Sequence, residues 1–255
     1  MTLSNVVAFV TGAGQGLGRA TALRLASKNA RVVVADISEV AAAKVAAEIG
    51  GSNAFAIVMD VTNEAQVKDA MDQTIKKWGK LNVCVSCAGI APPMRTLSKK
   101  GPHLLDLFSK VVLVNAVGTF NVARLAAEKM SLNEADADGL KGLIVNTASI
   151  AAFEGQIGQV AYAASKGAVV SMTLPLARDL AQYGIRVNTI APGLMMTPML
   201  EGLPESVQKD LAATVILPKR LGKPDEFAHL VQAIIENPLL NGEVIRLDGA
   251  LRMQP

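Results

Sequence analysis

The chain has 255 residues, of which 51% are hydrophobic and 18% charged, and its formal net charge is +3 at pH 7. This length suits one large α/β domain or two small ones. Because no linker, charge run or internal repeat divides the chain, we predict a single domain over residues 1–255. The small net charge and the scattered basic residues argue against a nucleic-acid-binding surface. The low charged fraction indicates much buried surface, including a subunit interface.

The sequence predicts neither a membrane-spanning segment nor a signal peptide, because it contains no apolar run of about 18 residues and no basic region followed by a cleavage site. Two cysteines, Cys84 and Cys87, lie in a predicted buried strand. Residues three apart on a strand are about 10 Å apart, too far for a disulfide. Without a nearby histidine, the pair also cannot complete a zinc site. We therefore expect reduced thiols, no metal and a soluble intracellular protein.

The order of strand and helix signals predicts a doubly wound α/β fold with a parallel sheet of about seven strands flanked by helices. Continuous apolar runs, typical of strands covered on both faces, lie at residues 6–10, 31–35, 55–59, 83–86, 143–147, 187–190 and 244–247. Helical signals fall between them, at residues 19–30, 39–49, 64–78, 103–130, 160–182 and 224–236. We expect Pro175 to bend the 160–182 helix or to end it early. Ligands of such sheets bind at the carboxyl ends of the strands.

A glycine-rich turn follows the first predicted strand. It reads Gly12-x-x-x-Gly16-x-Gly18 and does not match G-x-G-x-x-G literally. Its glycines permit a tight turn from strand to helix, where the helix N-terminus can meet a pyrophosphate. Asp36 ends the second strand, where a carboxylate can accept both ribose hydroxyls of an adenosine and repel a 2′-phosphate. The turn and Asp36 together therefore favour NAD over NADP. The alternative is that a glycine-rich turn is followed by an acidic residue by chance.

A serine, a tyrosine and a lysine form a candidate catalytic set. Tyr162 and Lys166 are one turn apart on a predicted helix and so share a face, and Ser149 lies thirteen residues before the tyrosine. We expect the lysine ammonium to lower the pKa of the tyrosine phenol, which is ordinarily about 10. Ser149 would then hold the substrate oxygen while Tyr162 exchanges its proton. The alternative is that this spacing arises by chance on an exposed helix.

Taken together, these motifs and the Pro192-Gly193 pair after the sixth strand resemble the short-chain dehydrogenase/reductase family over essentially the whole chain. Three longer stretches are similar to family members that act on 3-hydroxyacyl-CoA: AAFEGQIGQVAYAASKG, TLPLARDLAQYGIRVNTIAPGL and HLVQAIIENPLLNGEVIRLDGALRMQP. The resemblance implies a Rossmann-type sheet, NAD as the cofactor, a homotetramer, and a mitochondrial location, or a cytoplasmic one if the protein is bacterial.

The resemblance also implies roles for individual residues. Tyr162 would be the general acid/base, Lys166 would assist it and hold the nicotinamide ribose, and Ser149 would orient the substrate. Asn115 would anchor a water that continues the proton relay, or would satisfy backbone groups in a buried helix. The residues implied to bind the cofactor are Gly12, Gln15, Gly16, Leu17, Gly18, Asp36, Asp60, Val61, Cys87, Ala88, Gly89, Tyr162, Lys166, Pro192, Gly193, Met195 and Thr197. One departure is Ser86, where the family usually has an asparagine that ties neighbouring strands together.

The implied reaction is NAD-dependent oxidation of the 3-hydroxyl group of an acyl-CoA. Hydroxysteroids and free 3-hydroxy acids are the alternative substrates, and a catalytically silent dinucleotide-binding scaffold is the alternative from another class. The Met-rich segment 194–203 suits an acyl chain or a steroid, or simply packs in the core. Residues 92–102 carry three basic side chains that could meet coenzyme A phosphates, although a solvated loop is the interpretation we favour there.

Overall fold

The computed structural model describes residues 1–202 and 204–255, so Leu203, the last residue of the predicted substrate segment, lies outside the described residues. Seven parallel strands form one sheet in the order β3-β2-β1-β4-β7-β8-β9. Their bounds are β1 Val7–Thr11, β2 Arg31–Asp36, β3 Ala54–Val58, β4 Val83–Ser86, β7 Gly142–Thr147, β8 Ile185–Pro192 and β9 Val244–Leu247. A small antiparallel hairpin adds β5 Leu97–Ser98 and β6 Gly101–Pro102. The predicted Rossmann-type doubly wound sheet is confirmed.

Helices cover both faces of this sheet. Their bounds are α1 Gly16–Ser27, α2 Glu39–Ile49, α3 Glu64–Trp78, α4 Leu105–Val112, α5 Gly118–Ser131, α6 Val160–Ala181, α7 Pro198–Glu201, α8 Glu205–Thr214 and α9 Pro224–Glu236. A π-helical turn, Leu113–Val117, joins α4 to α5, and short 3-10 turns lie at Leu3–Asn5 and Ile150–Ala152. Because helices cover both faces of the sheet, the strands are apolar at successive positions. Val32 and Val33, for example, pack into different cores.

The two cores lie on opposite faces of the sheet. One packs β-strand side chains against α1, α2 and α9, with Leu25 and Phe227 fully buried in it. The other packs the alternate side chains against α3, α5 and α6, with Met71 and Met130 at its centre. Since both faces are covered, the loops at the carboxyl ends of the strands are the edge at which a ligand can approach.

Three details differ from the sequence-based expectations. α6 continues through Pro175 to Ala181, so the helix does not end early at the proline. The predicted helix over 103–130 is divided by the π-helical turn. β8 is eight residues long, twice the predicted length, because it is buried along its whole extent between β7 and β9.

Two stretches, Leu105–Ser131 and Val160–Ala181, are long and apolar enough to cross a membrane by length and composition alone, with mean hydropathies of 1.3 and 1.2. Both nevertheless pack one face on the sheet, α5 against β4 and β7 and α6 against β8. A core helix of a globular protein passes the same test, so the expectation of no membrane segment stays a prediction.

Candidate active site

The predicted site residues converge on the carboxyl edge of the sheet. Four strand exits meet there: the glycine turn after β1, Asp36 at the end of β2, Cys87 to Gly89 after β4, and Ser149 after β7. The strand order places β1 and β4 at the centre, where the direction of chain winding reverses. This is the crevice in which open α/β sheets bind their ligands.

Close packing explains the glycines of the turn after β1. Gly12 has a positive φ of 61°, and a β-carbon there would lie 2.7 Å from the backbone nitrogen of Ala88. A β-carbon at Gly18 would collide with the Gly12 carbonyl oxygen. Gly16 also has a positive φ, and its α-carbon faces Thr197 across the crevice, with 3.5 Å between a β-carbon at Gly16 and Thr197 Cγ2. The turn therefore exposes backbone without side chains at the entrance of the crevice.

The N-terminus of α1 opens on the same turn. Gln15 is its N-cap residue, is exposed, and makes no side-chain capping hydrogen bond within the part of the chain that the structure describes. The first turn also lacks an acidic residue. Free N–H groups at a helix N-terminus favour an anion, and a phosphate is the usual one in this fold. Leu17 lies on the other side of the helix, where its side chain packs against the core.

Asp36 stands at the β2 exit with its carboxylate directed to the glycine turn. Its Oδ2 accepts a hydrogen bond from the Gly14 N–H at 2.8 Å, and its Oδ1 accepts one from the Ser38 N–H at 3.0 Å. A carboxylate has about four acceptor positions, so two remain for hydroxyl donors. The carboxylate is partly exposed, so these positions are open to a hydroxyl donor.

The exits of β3 and β4 form the next wall of the crevice. Asp60 accepts from the Thr62 N–H and hydroxyl through one oxygen, both at 2.8 Å, whereas the Val61 side chain is buried against Gly118. After β4, the backbone of Cys87 and Ala88 is held by Thr11, whose hydroxyl accepts from both N–H groups. Cys84 and Cys87 are free thiols, and burial raises the pKa of the Cys87 thiol to about 11.

Ser149, Tyr162 and Lys166 come together as the sequence predicts. Ser149 is the N-cap of the Ile150–Ala152 turn, and its Oγ accepts the Ala151 N–H at 3.1 Å. It also hydrogen-bonds the Tyr162 phenol. Lys166 is buried, lies 5.7 Å from the centre of the Tyr162 ring, and donates from Nζ to the Thr147 carbonyl at 2.7 Å.

The expected direction of the Tyr162 pKa shift is wrong for this structure. Burial raises the pKa of the phenol above its ordinary value, and the hydrogen bond with Ser149 only partly offsets the rise. Lys166 does not lower that pKa because burial acts on the lysine as well, lowering its own pKa to about 8. Both side chains are therefore biased toward their neutral forms.

Asn115 lies in the π-helical turn and is fully buried. Its side-chain oxygen accepts the Ile90 N–H at 2.8 Å, and its amide donates to the Ile90 carbonyl at 2.8 Å and to Ser165 Oγ at 3.0 Å. The side chain thus satisfies backbone groups, one of the two roles expected of it. The turn also lies near Gly89, where a β-carbon would be 3.1 Å from Asn115 Oδ1 and 3.7 Å from Lys166 Nζ. π-helical turns of this kind are frequent at functional sites.

The segment after β8 closes the crevice opposite the glycine turn. Pro192 ends the strand, and Gly193 packs so closely on Asp248 that a β-carbon would lie 2.8 Å from the Asp248 Cβ. Thr197 faces Gly16, as noted above. The Met195 side chain is buried, with its sulfur against Gly222.

Two cavities flank this edge. A cleft of about 730 Å³ lies between the loop bearing Arg95 and the segment 151–160, next to Ser149 and Tyr162 along the chain. A smaller one of about 240 Å³ lies beneath Leu194 and Met195. Among the described residues, no group of three or more His, Cys, Asp or Glu side chains is placed to hold a metal ion.

Sequence reasoning missed one charged cluster beside the site. Arg246, on β9, pairs with Glu154, which follows the Ser149 turn, and with Asp248. Each of these residues is ordinary in the sequence, and they are 92 and two positions from Arg246. No local motif could have indicated that they meet.

Comparison with known proteins finds a matching family model and relatives that cover nearly the full length of the chain. A family model described as short chain dehydrogenase matches residues 6–208. The 3-hydroxyacyl-CoA dehydrogenase type-2 of Drosophila melanogaster is 55% identical, covering 99% of this chain and 100% of the relative. The Homo sapiens protein of that name is 54% identical, covering 100% and 98% respectively. A crystal structure of 3-hydroxyacyl-CoA dehydrogenase type-2 from Mycobacterium avium is similar with a TM-score of 0.95 at 41% identity, covering 99% of this chain and 98% of that chain.

Proposed function

The chain belongs to the short-chain dehydrogenase/reductase family, and from that premise we propose that it oxidises the 3-hydroxyl group of an acyl-CoA with NAD as hydride acceptor. The observation that carries the proposal is the meeting of Ser149, Tyr162 and Lys166 at the sheet edge that also bears the glycine turn. Oxidation of an alcohol by a dinucleotide requires a proton acceptor, a hydroxyl that can orient the substrate and a binding site for the dinucleotide.

The residues around the glycine turn fit NAD. The bare backbone at Gly12 to Gly18 and the uncapped α1 N-terminus suit a pyrophosphate, and the free acceptor positions of Asp36 suit the two hydroxyls of a ribose. When bound, NAD supplies the hydride acceptor, and the protein supplies orientation and proton transfer. The remaining residues proposed to line the cofactor are Asp60, Val61, Cys87, Ala88, Gly89, Pro192, Gly193, Met195 and Thr197.

Preference for NAD over NADP rests on charge. A 2′-phosphate would meet the Asp36 carboxylate, and positions 12–18 and 37–38 contain no lysine or arginine to offset the repulsion. The Asp36 carboxylate is also held in place by the Gly14 and Ser38 N–H groups, so it cannot turn away without losing both hydrogen bonds.

In the proposed oxidation, Tyr162 as phenolate accepts the proton of the substrate hydroxyl. Ser149 donates a hydrogen bond to the substrate oxygen and orients it toward the phenol. Lys166 stays near Tyr162 through its bond to the Thr147 carbonyl and stabilises the phenolate when charged. Asn115 holds the backbone of Ile90, beside Gly89, and its proposed role is to anchor the water that continues the proton relay.

The acyl-CoA class is supported by the surroundings of the site as well as by the relatives. The 730 Å³ cleft is large enough for part of a long substrate, and Arg95 lies at its wall. Lys99 and Lys100 lie on the neighbouring hairpin and, like Arg95, are exposed. They could meet coenzyme A phosphates, although solvation alone also accounts for exposed basic side chains.

We propose a homotetramer located inside the cell, mitochondrial or, for a bacterial protein, cytoplasmic. Exposed apolar residues on the outer faces of the α4–α5 unit and α6 support self-association, since large unpaired apolar patches mark interfaces. We interpret these faces as subunit contacts, with neither a membrane nor a nucleic acid as partner.

The test is the initial rate of NADH formation on a panel of 3-hydroxyacyl-CoAs, free 3-hydroxybutyrate and a 17β-hydroxysteroid, each with NAD+ and NADP+. We expect the highest kcat/KM for an acyl-CoA with NAD+. Preference for NADP+ would overturn the Asp36 argument, and preference for the steroid or the free acid would move the substrate assignment.

Tyr162→Phe separates an enzyme from a catalytically silent scaffold. The variant should lose at least about 10²-fold in kcat, the usual contribution of a positioned acid/base group, while its NADH affinity stays within about twofold. Tyr183→Phe is the matched control, because Tyr183 is exposed and distant in sequence from the site. Turnover retained in Tyr162→Phe, or absent from the wild-type protein that binds NADH, would contradict the proposal.

A further inference from the structure

A network of charges joins the end of the Ser149 turn to β9 and the segment after it. Arg246 donates to both oxygens of Glu154, at 2.9 and 3.0 Å, and from Nε to Asp248 at 2.7 Å. The Arg246 and Glu154 side chains are only 21% and 23% exposed. Arg252 adds a second cation, 3.4 Å from Glu154 and 3.2 Å from Asp248. Two-point pairing of this kind fixes orientation as well as distance.

The other end of the same turn is held by apolar packing. Ile150, next to Ser149, is fully buried and packs in a cluster with Leu251 and Val215. The Arg246 guanidinium also donates to the Leu251 carbonyl at 3.0 Å, so one side chain joins the ionic and apolar contacts. The guanidinium further lies 5.2 Å from the centre of the Phe153 ring.

Between these two anchors, the turn is rigid in itself. The Phe153 and Glu154 N–H groups both donate to the Ile150 carbonyl, at 2.9 and 3.0 Å. The Ala151 N–H donates to Ser149 Oγ at 3.1 Å, which sets the direction of the hydroxyl that also meets Tyr162. A displacement of Glu154 is therefore transmitted through two short hydrogen-bonded steps to Ser149.

We propose that Glu154 and Arg246 are positioning residues that hold the Ser149 hydroxyl in place for the substrate oxygen. The inference rests on the role of Ser149 in the proposed function. Among the described residues, the hydrogen-bond and ion-pair partners of both side chains are each other, Asp248, Arg252 and the backbone of the C-terminal segment, so their effect on the reaction passes through Ser149. The segment 248–253 thereby takes part in building the site, although it follows the last strand of the sheet.

Kinetics of Glu154→Gln test the proposal, because the substitution keeps the size of the side chain and removes its charge. We expect kcat to fall about tenfold through misplacement of Ser149, with NADH affinity unchanged. In a Ser149→Ala background, the same substitution should have no further effect. Glu48→Gln is the matched control, since Glu48 accepts both its hydrogen bonds from Arg19 in an exposed pair far along the chain from Ser149. Arg246→Lys, which keeps the charge but loses the two-point pairing, should fall between wild type and Glu154→Gln.

Hydrogen exchange gives a readout that needs no turnover. In Glu154→Gln, the amides of Ala151 and Phe153 should exchange at least fivefold faster than in wild type, while amides of β1 and β4 are unchanged. If exchange is faster in Glu154→Gln but the wild-type protein has no dehydrogenase activity, the proposed function fails, whereas the structural coupling of Glu154 to the Ser149 turn stands. Unchanged exchange at these amides, or equal loss of kcat with and without Ser149, would overturn the positioning role itself.

Discussion

At the scale of single residues, the site combines buried Lys166 with half-buried Tyr162, and the neutral form of each is favoured. Lys166 has its pKa lowered to about 8 by burial, and within the described part of the chain its ammonium donates a hydrogen bond to the Thr147 carbonyl alone. A charged lysine held in this way destabilises the fold at neutral pH, and it is retained because the chemistry needs a cation near Tyr162. Active sites often trade stability for function in this manner.

Replacing Lys166 should therefore stabilise the protein. A pKa of about 8 against 10.5 unfolded corresponds to roughly 3 kcal/mol disfavouring the charged form in the folded state, and a lost hydrogen bond offsets about 1 kcal/mol. We expect Lys166→Met to gain about 2 kcal/mol in the free energy of unfolding at pH 7, measured by urea titration, while losing activity.

The pH dependence of that gain has a defined sign. Between pH 8 and 10.5 the unfolded lysine binds a proton that the folded one has released, so wild-type stability rises relative to the variant. The advantage of Lys166→Met should therefore be full below pH 8 and shrink toward pH 10. Lys129→Met is the control. Because the hydrogen bond with Asp72 raises the pKa of Lys129, this substitution should change the free energy of unfolding in the opposite direction. A gain for Lys166→Met that does not change with pH would exclude the charge as its cause.

At the scale of elements, strong patterns predicted the structure well. Five of the predicted segments, including 83–86 and 244–247 among the strands, match their observed bounds, because long apolar runs and capped helices leave few alternatives. α7 and α8 were not predicted, since α8 has no fully buried residue and its pattern reflects no core face. The π-helical turn is set by contacts of Asn115 with Ile90, which periodicity cannot register.

Part of the candidate site could likewise be predicted from the sequence, and part could not. Gly12, Asp36, Ser149, Tyr162 and Lys166 were recognisable because each belongs to a motif of fixed spacing that a strand exit explains. The burial of Met195 and of the Val61 side chain, and the pairing of Arg246 with Glu154, arise from tertiary packing between distant segments. The direction of the Tyr162 pKa was predicted wrongly, because spacing along a helix contains no information on burial.

A polar gap between two central strands follows from the serine at position 86. Ser86 on β4 and Asn146 on β7 are register partners, and both polar atoms of the Asn146 side chain are buried with no hydrogen-bond partner among residues 1–202 and 204–255. Within the same residues, the Ser86 hydroxyl is also unpaired apart from the nearby Cys84 thiol, a weak partner. An asparagine at 86 would reach further across the strands and could bond the Asn146 amide.

We expect Ser86→Asn to raise the free energy of unfolding by about 1 kcal/mol, the usual gain from satisfying a buried polar group. Ser86→Leu is the control of similar size without an amide, and it should destabilise because Asn146 stays unpaired. Both effects can be measured by thermal unfolding. Equal loss of stability in the two variants would mean that the gap has no room for the larger side chain.

At the scale of the whole molecule, the helices that position the site also expose apolar side chains on their outer faces. α6 carries Tyr162 and Lys166 on its inner side and exposes Val160 and Leu174 on its outer side. The π-helical turn of Asn115 is continuous with exposed Leu113, Val117 and Phe120. If these outer faces pack against other copies of the chain, assembly also restrains the helices that hold the catalytic residues.

Charge placed on the α5 face should therefore dissociate the proposed tetramer and weaken catalysis together. We expect wild type to sediment at about four times the 26.6 kDa chain mass, and Val117→Glu/Phe120→Glu to form smaller species, because a buried unpaired carboxylate in an apolar interface costs several kcal/mol. Sedimentation velocity measures the change, and Leu239→Glu, at a loop residue 91% exposed, should leave the mass unaltered. A wild-type monomer, or an intact tetramer in the double variant, would show that another surface or none mediates assembly. If dissociation occurs with kcat unchanged, the fold of one subunit suffices to hold Tyr162 and Asn115 in place.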